Sequence, residues 1–190
     1  MPEDTKRLIA EAFRQAASEK SVSRITVQDI ASRAGISRHT FYYHFRDLFA
    51  LAEWIFSSEY MSDLNKYSGL DNWQEGLRRA CTYAYENKNI VINVYRSVYR
   101  DNLLRFLYNL TYSQIDGIIS REFSDITVSA GDRDALISFY TFGCMGTLCR
   151  WLDGNMEEDC GKVLAVLHKV VHGAVRDALI RLSGETDGTC

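Results

Sequence analysis

Proline is nearly missing from this chain. It occurs once, at Pro2, so no internal position loses its amide donor or has φ locked by a ring. Alternating apolar and polar runs are scarce. No Asn-Gly or Asp-Gly pair sits between two strand-like runs, which argues against β-hairpins. No apolar run approaches the ~18–20 residues that a membrane-spanning helix needs. The N-terminus, MPEDTKRLIAEAF, is charged and amphipathic. It has no apolar export core and no small-residue cleavage site, so no export signal is expected. The five cysteines (Cys81, Cys144, Cys149, Cys160, Cys190) are scattered and include no Cys-x-x-Cys pair. That pattern indicates neither a disulfide framework nor a zinc ribbon, and it fits a reducing cytoplasm. Glu-x-x-His and His-Glu-x-x-His are missing, as are a glycine-rich phosphate loop and a nucleophile elbow. The expectation is therefore a protein that is not an enzyme, with no metal, no cofactor and no catalytic residue.

What is present is 190 residues, 46% of them hydrophobic and 25% charged, enough for a core and an ordinary surface. The net charge of −3 hides a segregation. Residues 1–46 carry eight Lys/Arg against five Asp/Glu, a net of +3, while residues 47–190 carry 14 against 20, a net of −6. A small basic head on an acidic body can bind a polyanion locally, because salt confines each field to about 8–10 Å.

Helical spacing recurs along the whole chain. Leu8, Ile9, Ala12, Phe13 and Ala16 mark one face of a helix over about residues 4–20. A long helix is expected over 47–67, carrying Leu51, Ala52, Ile55, Phe56 and Tyr60. Another opens at Asp71-x-x-Gln74 and runs to about Lys88. One or two lie within 89–123, and 124–131 reads as a loop. The last two, Asp132–Leu152 and about Met156–Leu182, are joined by the turn Asp153-Gly154-Asn155. The reading is all-α with about nine helices: a three-helix head over 1–46 and a helical body over 47–190.

The segment that carries function is RITVQDIASRAGISRHTFYYHFRDLFAL, Arg24–Leu51. Thr26 with Asp29 three residues on is a capping-box pattern. Ile30, Ala31 and Ala34 form a buried face, and Gly35 sits where a helix stop needs positive φ. Ser37 caps a second short helix from Arg38 to about His44. Two short helices joined by a glycine-containing turn describe a helix-turn-helix. On the second helix Phe41 and Phe45 face inward with Ile36. Arg38, His39, Tyr42 and Tyr43 face the other way, a surface suited to phosphates and base edges. The caps Thr26 and Ser37 place free helix amides where phosphates bind.

This segment resembles the N-terminal domain of TetR-type transcriptional regulators over about residues 5–65. The matching residues are Thr26, Ile30-Ala31, Ala34-Gly35-Ile36-Ser37, Phe41-Tyr42-Tyr43-His44-Phe45 and Asp47. A fainter resemblance, carried by YYHFRDLFALAEWIF and by Gly143, Gly146 and Trp151, is to the dihydroxyacetone-kinase regulators within that family. The resemblance implies a homodimer, a double-stranded palindromic operator and a small-molecule effector bound in the body, most often with repression. The candidate DNA contacts are Thr26, Ser37, Arg38, His39, Thr40, Tyr42, Tyr43, His44 and Arg46. The family usually has Lys after the cap of its fourth helix, reaching a phosphate; this chain has Leu48. Either that contact is missing or Arg46 supplies it, and a helix-turn-helix protein acting through a protein partner stays open.

The last two expected helices are apolar over a wide arc, so they need cover on two sides. Phe139, Trp151, Leu164, Leu167, His168, Val171 and Val175 are the candidate dimer contacts, with Gly143 and Gly146 permitting close approach. Residues 60–112 hold eight of the 11 tyrosines. Trp73, Tyr95, Tyr99, Phe106 and Phe142 are the candidate effector contacts. His168 and His172 have metal-compatible spacing with no third ligand evident. Cys144 and Cys149, five apart, fall on different helix faces.

Overall fold

The protein is described from a computed structural model that covers residues 2–58, 65–67, 69, 72–171 and 173–184. The chain divides into two compact units, residues 1–63 with 86–103, and residues 64–85 with 104–190. All the described regular structure is helical.

In the first unit, α1 (Pro2–Glu19) lays its apolar stripe on two short helices, α2 (Val27–Arg33) and α3 (Arg38–His44). Ile9, Phe13, Ala16, Ile30, Phe41 and Phe45 close one core with Leu51 and Ile55 of α4 (Leu48–Phe56). The expected joints are present. Thr26, Ser37 and Asp47 all cap helices through side-chain oxygens that accept amide hydrogens. Gly35 adopts φ 64 in the α2–α3 turn, and the next amide, from Ile36, reaches the Ala31 carbonyl at 3.0 Å.

Of the helix expected over 47–67, the described part is α4, followed by a π-type turn at Ser57 and Ser58. Asn65–Tyr67 form a separate 3-10 turn, and Tyr60 lies outside the described residues. The expected head also has a partner from later in the chain. Helix α6 (Lys88–Tyr95) packs on the 3-10 turn Val22–Arg24. Ile90 joins the head core, and Ser21 donates to Asn93 at 2.7 Å. Tyr99 stacks on Phe49 of α4 with ring centroids 6.3 Å apart. The cut expected between residues 46 and 47 thus falls inside a compact unit.

The second unit holds most of α5 (Trp73–Glu86) and α7 (Arg100–Glu122), with α8 (Ala130–Asp153), α9 (Cys160–Val171) and α10 (Ala174–Ser183). The cap expected at Asp71 lies outside the described residues. Ser129 caps α8, so Gly131 sits in its first turn instead of in the expected loop. Ile119, Phe123, Leu136, Ile137 and Leu179 form a core between α7, α8 and α10. Its rim is polar. Arg133 of α8 donates to the Asp116 carboxylate, the Asp116 carbonyl and the Ser120 hydroxyl of α7. Tyr112 of α7 donates to Asp134 of α8 at 2.6 Å. The single helix expected over about 156–182 is two, because Gly173 adopts φ 79 between them. Among the described residues no helix is long and apolar enough to cross a membrane.

Two predictions follow from these joints. An added Cβ at Gly35 would meet no atom within 4 Å, so Gly35→Ala carries a conformational cost without a clash. Urea unfolding should show a loss of roughly 1–2 kcal/mol, the penalty of the left-handed region for an L-residue. At Tyr112, the Asp134 carboxylate that accepts its hydrogen bond holds the phenol up to about 12, against an ordinary 10.0. A folded-state pKa raised in this way gives stability that is fully present below pH 10 and lost as pH rises towards 12. The stability difference between wild type and Tyr112→Phe should therefore be constant below pH 10 and shrink above it, read from urea midpoints in alkaline buffers.

Candidate nucleic-acid interface

The candidate recognition surface is built on a doubly capped turn. Thr26 Oγ1 accepts the Asp29 amide hydrogen at 3.2 Å, and Asp29 Oδ2 accepts the Thr26 amide hydrogen at 2.7 Å. Lys20 of the segment after α1 adds an ion pair to Asp29 at 2.8 Å. Together Lys20 and the two Thr26 donors hold the Asp29 carboxyl well below the usual carboxylate range. The start of α2 is thus fixed by two reciprocal cap bonds and an ion pair. Sequence reasoning missed Lys20, because its partner becomes near only when the end of α1 lies beside α2.

Ser37 fixes the start of α3 in the same way. Its Oγ accepts the Thr40 amide hydrogen at 3.0 Å and shares a hydrogen with Thr40 Oγ1 at 2.9 Å. Phe41 is fully buried and Phe45 nearly so, with ring centroids 5.9 Å apart. Those two rings set the rotation of the helix. As a result Tyr43 is 78% exposed and Tyr42 48% exposed, and Arg38 and His39 are exposed beside them. The Arg38 guanidinium lies 6.0 Å from the Tyr42 ring centre. The four side chains chosen from the sequence therefore share one open face, flanked by exposed Thr26 and Ser37. Thr40 and His44 are half-buried. The His44 ring is wedged between Tyr43 and Phe45, at 5.1 and 6.4 Å.

The departure at residue 48 has a structural meaning. Leu48 packs against the core of the head, so it offers nothing to a phosphate. Arg46 is the exposed cation at this corner, 3.2 Å from the Asp47 carboxylate that caps α4.

The remaining candidate residues distribute differently. The second unit contains a cavity of about 390 Å³ lined by residues of α5, α7, α8, α9 and α10, with Tyr67. Of the expected effector contacts, Trp73 lines it. Phe106 is half-buried on α7 away from this lining, and Phe142 is 64% exposed against Tyr108. Tyr95 and Tyr99 belong to the first unit. Of the expected dimer contacts, Trp151, Leu164, Leu167, Val171 and Val175 line the cavity. His168 is half-buried with its ring 6.2 Å from Trp73; His172 lies outside the described residues. Phe139 is 73% exposed. Sequence reasoning did not see the cavity, because a helix apolar over a wide arc looks the same whether it covers a void or a partner. No group of three metal-ligating side chains occurs among the described residues.

Comparison with known proteins agrees with this geometry. Residues 8–53 match the family described as "Bacterial regulatory proteins, tetR family". Residues 71–173 match "Transcriptional regulator C-terminal region" of the same family. The HTH-type dhaKLM operon transcriptional activator DhaS of Lactococcus lactis subsp. lactis (strain IL1403) is 33% identical over 84 residues. That match covers 44% of this chain and 45% of the relative, so the chain spans less than half the length of that relative. In fold, a solved structure named dihydroxyacetone kinase operon activator DhaS superposes with a TM-score of 0.67 at 20% identity, over 91% of this chain and 97% of that one. With a helix-turn-helix presenting an open polar face and family matches across both halves, the chain belongs to the TetR family and is a DNA-binding transcriptional regulator, not an enzyme.

Proposed function

We propose that this chain works as a homodimer on a palindromic operator, with a small molecule in the cavity of the second unit altering its affinity for DNA. The observation that carries the reading is the open face of α3, where Arg38, His39, Tyr42 and Tyr43 stand on a helix held from behind by Phe41 and Phe45. Two such faces in successive major grooves need half-sites about one helical turn apart, ~34–36 Å. Support for two-fold assembly comes from α8, where Phe139, Phe142, Gly143 and Gly146 are exposed at helical spacing along one side. Val166 and Val170 of α9 are exposed as well. An apolar stripe of this kind beside small residues suits close packing against a second copy.

Support for an effector comes from the cavity, whose wall is mostly aliphatic and aromatic with a few polar groups such as Gln114 and Arg176. A hundredfold change in operator affinity requires the effector to favour one dimer geometry by ~2.7 kcal/mol. Repression is the sign expected from the family resemblance. Activation is the second reading, favoured by the name of the Lactococcus relative. A reporter behind the selected operator, with and without the protein, decides between them.

Selection of bound DNA from a random library should return a palindrome. In gel shifts at fixed salt, Arg38→Ala should cost about 1–3 kcal/mol and relax preference at one position of each half-site. Tyr42→Phe should weaken all sequences alike if its hydroxyl meets a phosphate. Unchanged affinity in both variants would remove the α3 face from the reading. For assembly, Phe139→Asp places a charge on the exposed stripe without disturbing the core of its own unit. Sedimentation at micromolar concentration should show wild type as a dimer and the variant as a folded monomer. A folded wild-type monomer would end the dimer reading.

A further inference from the structure

The wall of the cavity in the second unit is mostly apolar, and its few polar groups are unevenly placed. Among the described residues no Asp, Glu, Lys or His lines it, and Arg176 of α10 is its one charged side chain. Arg176 is exposed, so it stands at the open edge of the cavity. It forms no ion pair among the described residues. Asp177, next in the chain, is exposed and is not on the wall.

Other donors gather near Arg176. Ile115, Tyr140 and Val175 pack on the single core between α7, α8 and α10. Gln114 and Arg176 are the chain neighbours of Ile115 and Val175. The Gln114 amide, the Tyr140 hydroxyl and the Arg176 guanidinium therefore reach one side of the cavity from three helices. None of the three makes a side-chain hydrogen bond among the described residues, and each can donate. Thr147, also on the wall, already gives its hydroxyl hydrogen to the Gly143 carbonyl at 3.0 Å. The part of the wall that comes from α5 and α9 offers Leu77, Ala80, Leu164 and Leu167 instead. The cavity thus has a donor side with one positive charge and an aliphatic side with none.

Building on the cavity reading above, we propose that this cavity takes a monocarboxylate with an apolar tail. The carboxylate meets Gln114, Tyr140 and Arg176, and the tail lies against α5 and α9. Charge selects the head. A carboxylate only accepts hydrogen bonds, at about four lone-pair sites, and a guanidinium meets it with two parallel N–H bonds. An amine would bring a cation to a wall whose one charge is positive. A phosphate monoester would bring about two negative charges to one cation, leaving the surplus in an apolar enclosure. Volume selects the tail. About 390 Å³ is far more than a carboxylate fills, and an aliphatic wall gains only from apolar surface removed from water.

The test uses the full chain carrying Trp54→Phe, so that the remaining tryptophans, Trp73 and Trp151, both line the cavity. Decanoate, methyl decanoate and decylamine are each titrated, read by tryptophan fluorescence and by calorimetry. Decanoate should bind and decylamine should not. Arg176→Gln should weaken decanoate at least about tenfold and leave methyl decanoate within about twofold. Arg176→Lys, which keeps the charge but not the fork, should recover part of that loss. Tyr140→Phe and Gln114→Leu should each weaken decanoate about threefold or more. Equal decanoate affinity in wild type and Arg176→Gln would overturn the proposal, and so would decylamine bound as tightly as decanoate. A response to methyl decanoate with none to decanoate would also overturn it, while leaving the cavity reading intact. No response to any of the three would sink both.

Discussion

A helix of seven residues does not hold its shape alone in water, because its nucleation cost exceeds what so few hydrogen bonds return. α3 has seven residues and carries the open face proposed to meet DNA, so its existence depends on what lies behind it. The burial of Phe41 and Phe45 against α1 and α4 is that support. It fixes the helix in place and also fixes its rotation, because two inward rings leave only one set of positions facing out. The caps at Thr26 and Ser37 and the left-handed Gly35 then fix the angle between α2 and α3. A readable surface in this protein is a by-product of core packing.

The same logic explains what could be read from the sequence. The head was legible almost residue by residue, since its rules are local: a cap and its partner three residues on, a glycine at the stop, aromatic pairs at i and i+4. Helix α3 begins at Arg38 and ends at His44, as its pattern implies. The body was legible only as helices. Nothing local announces that the last expected helix breaks at Gly173, because a lone glycine is also tolerated inside a helix. Nor does periodicity say what an apolar face meets. Leu164, Leu167 and Val171 look like interface residues in one dimension and line a cavity in three.

That ambiguity separates two kinds of apolar residue on α8 and α9. Residues such as Trp151 and Leu164 satisfy the hydrophobic requirement of their own unit. Phe139, Phe142, Val166 and Val170 do not, and they remain exposed. Only the second set is unexplained by the fold of one chain. The cysteines sort by the same criterion. Cys149 is a half-buried helix residue, while Cys81 and Cys160, on helices far apart in sequence, both line the cavity. The spacing between Cys144 and Cys149, which first draws the eye, places nothing together.

The contact between α6 and the head has a consequence for modular engineering. The reading head of this protein is discontinuous in sequence: Ile90 sits against its core, and the Ser21–Asn93 hydrogen bond ties residues 72 positions apart. A graft that moves residues 1–58 onto another regulator's body would leave behind the wall that covers Val22, together with the partner of Ser21. The transplantable piece is two segments, and a chimera that respects the physical boundary must carry residues 86–103 along with the first helices.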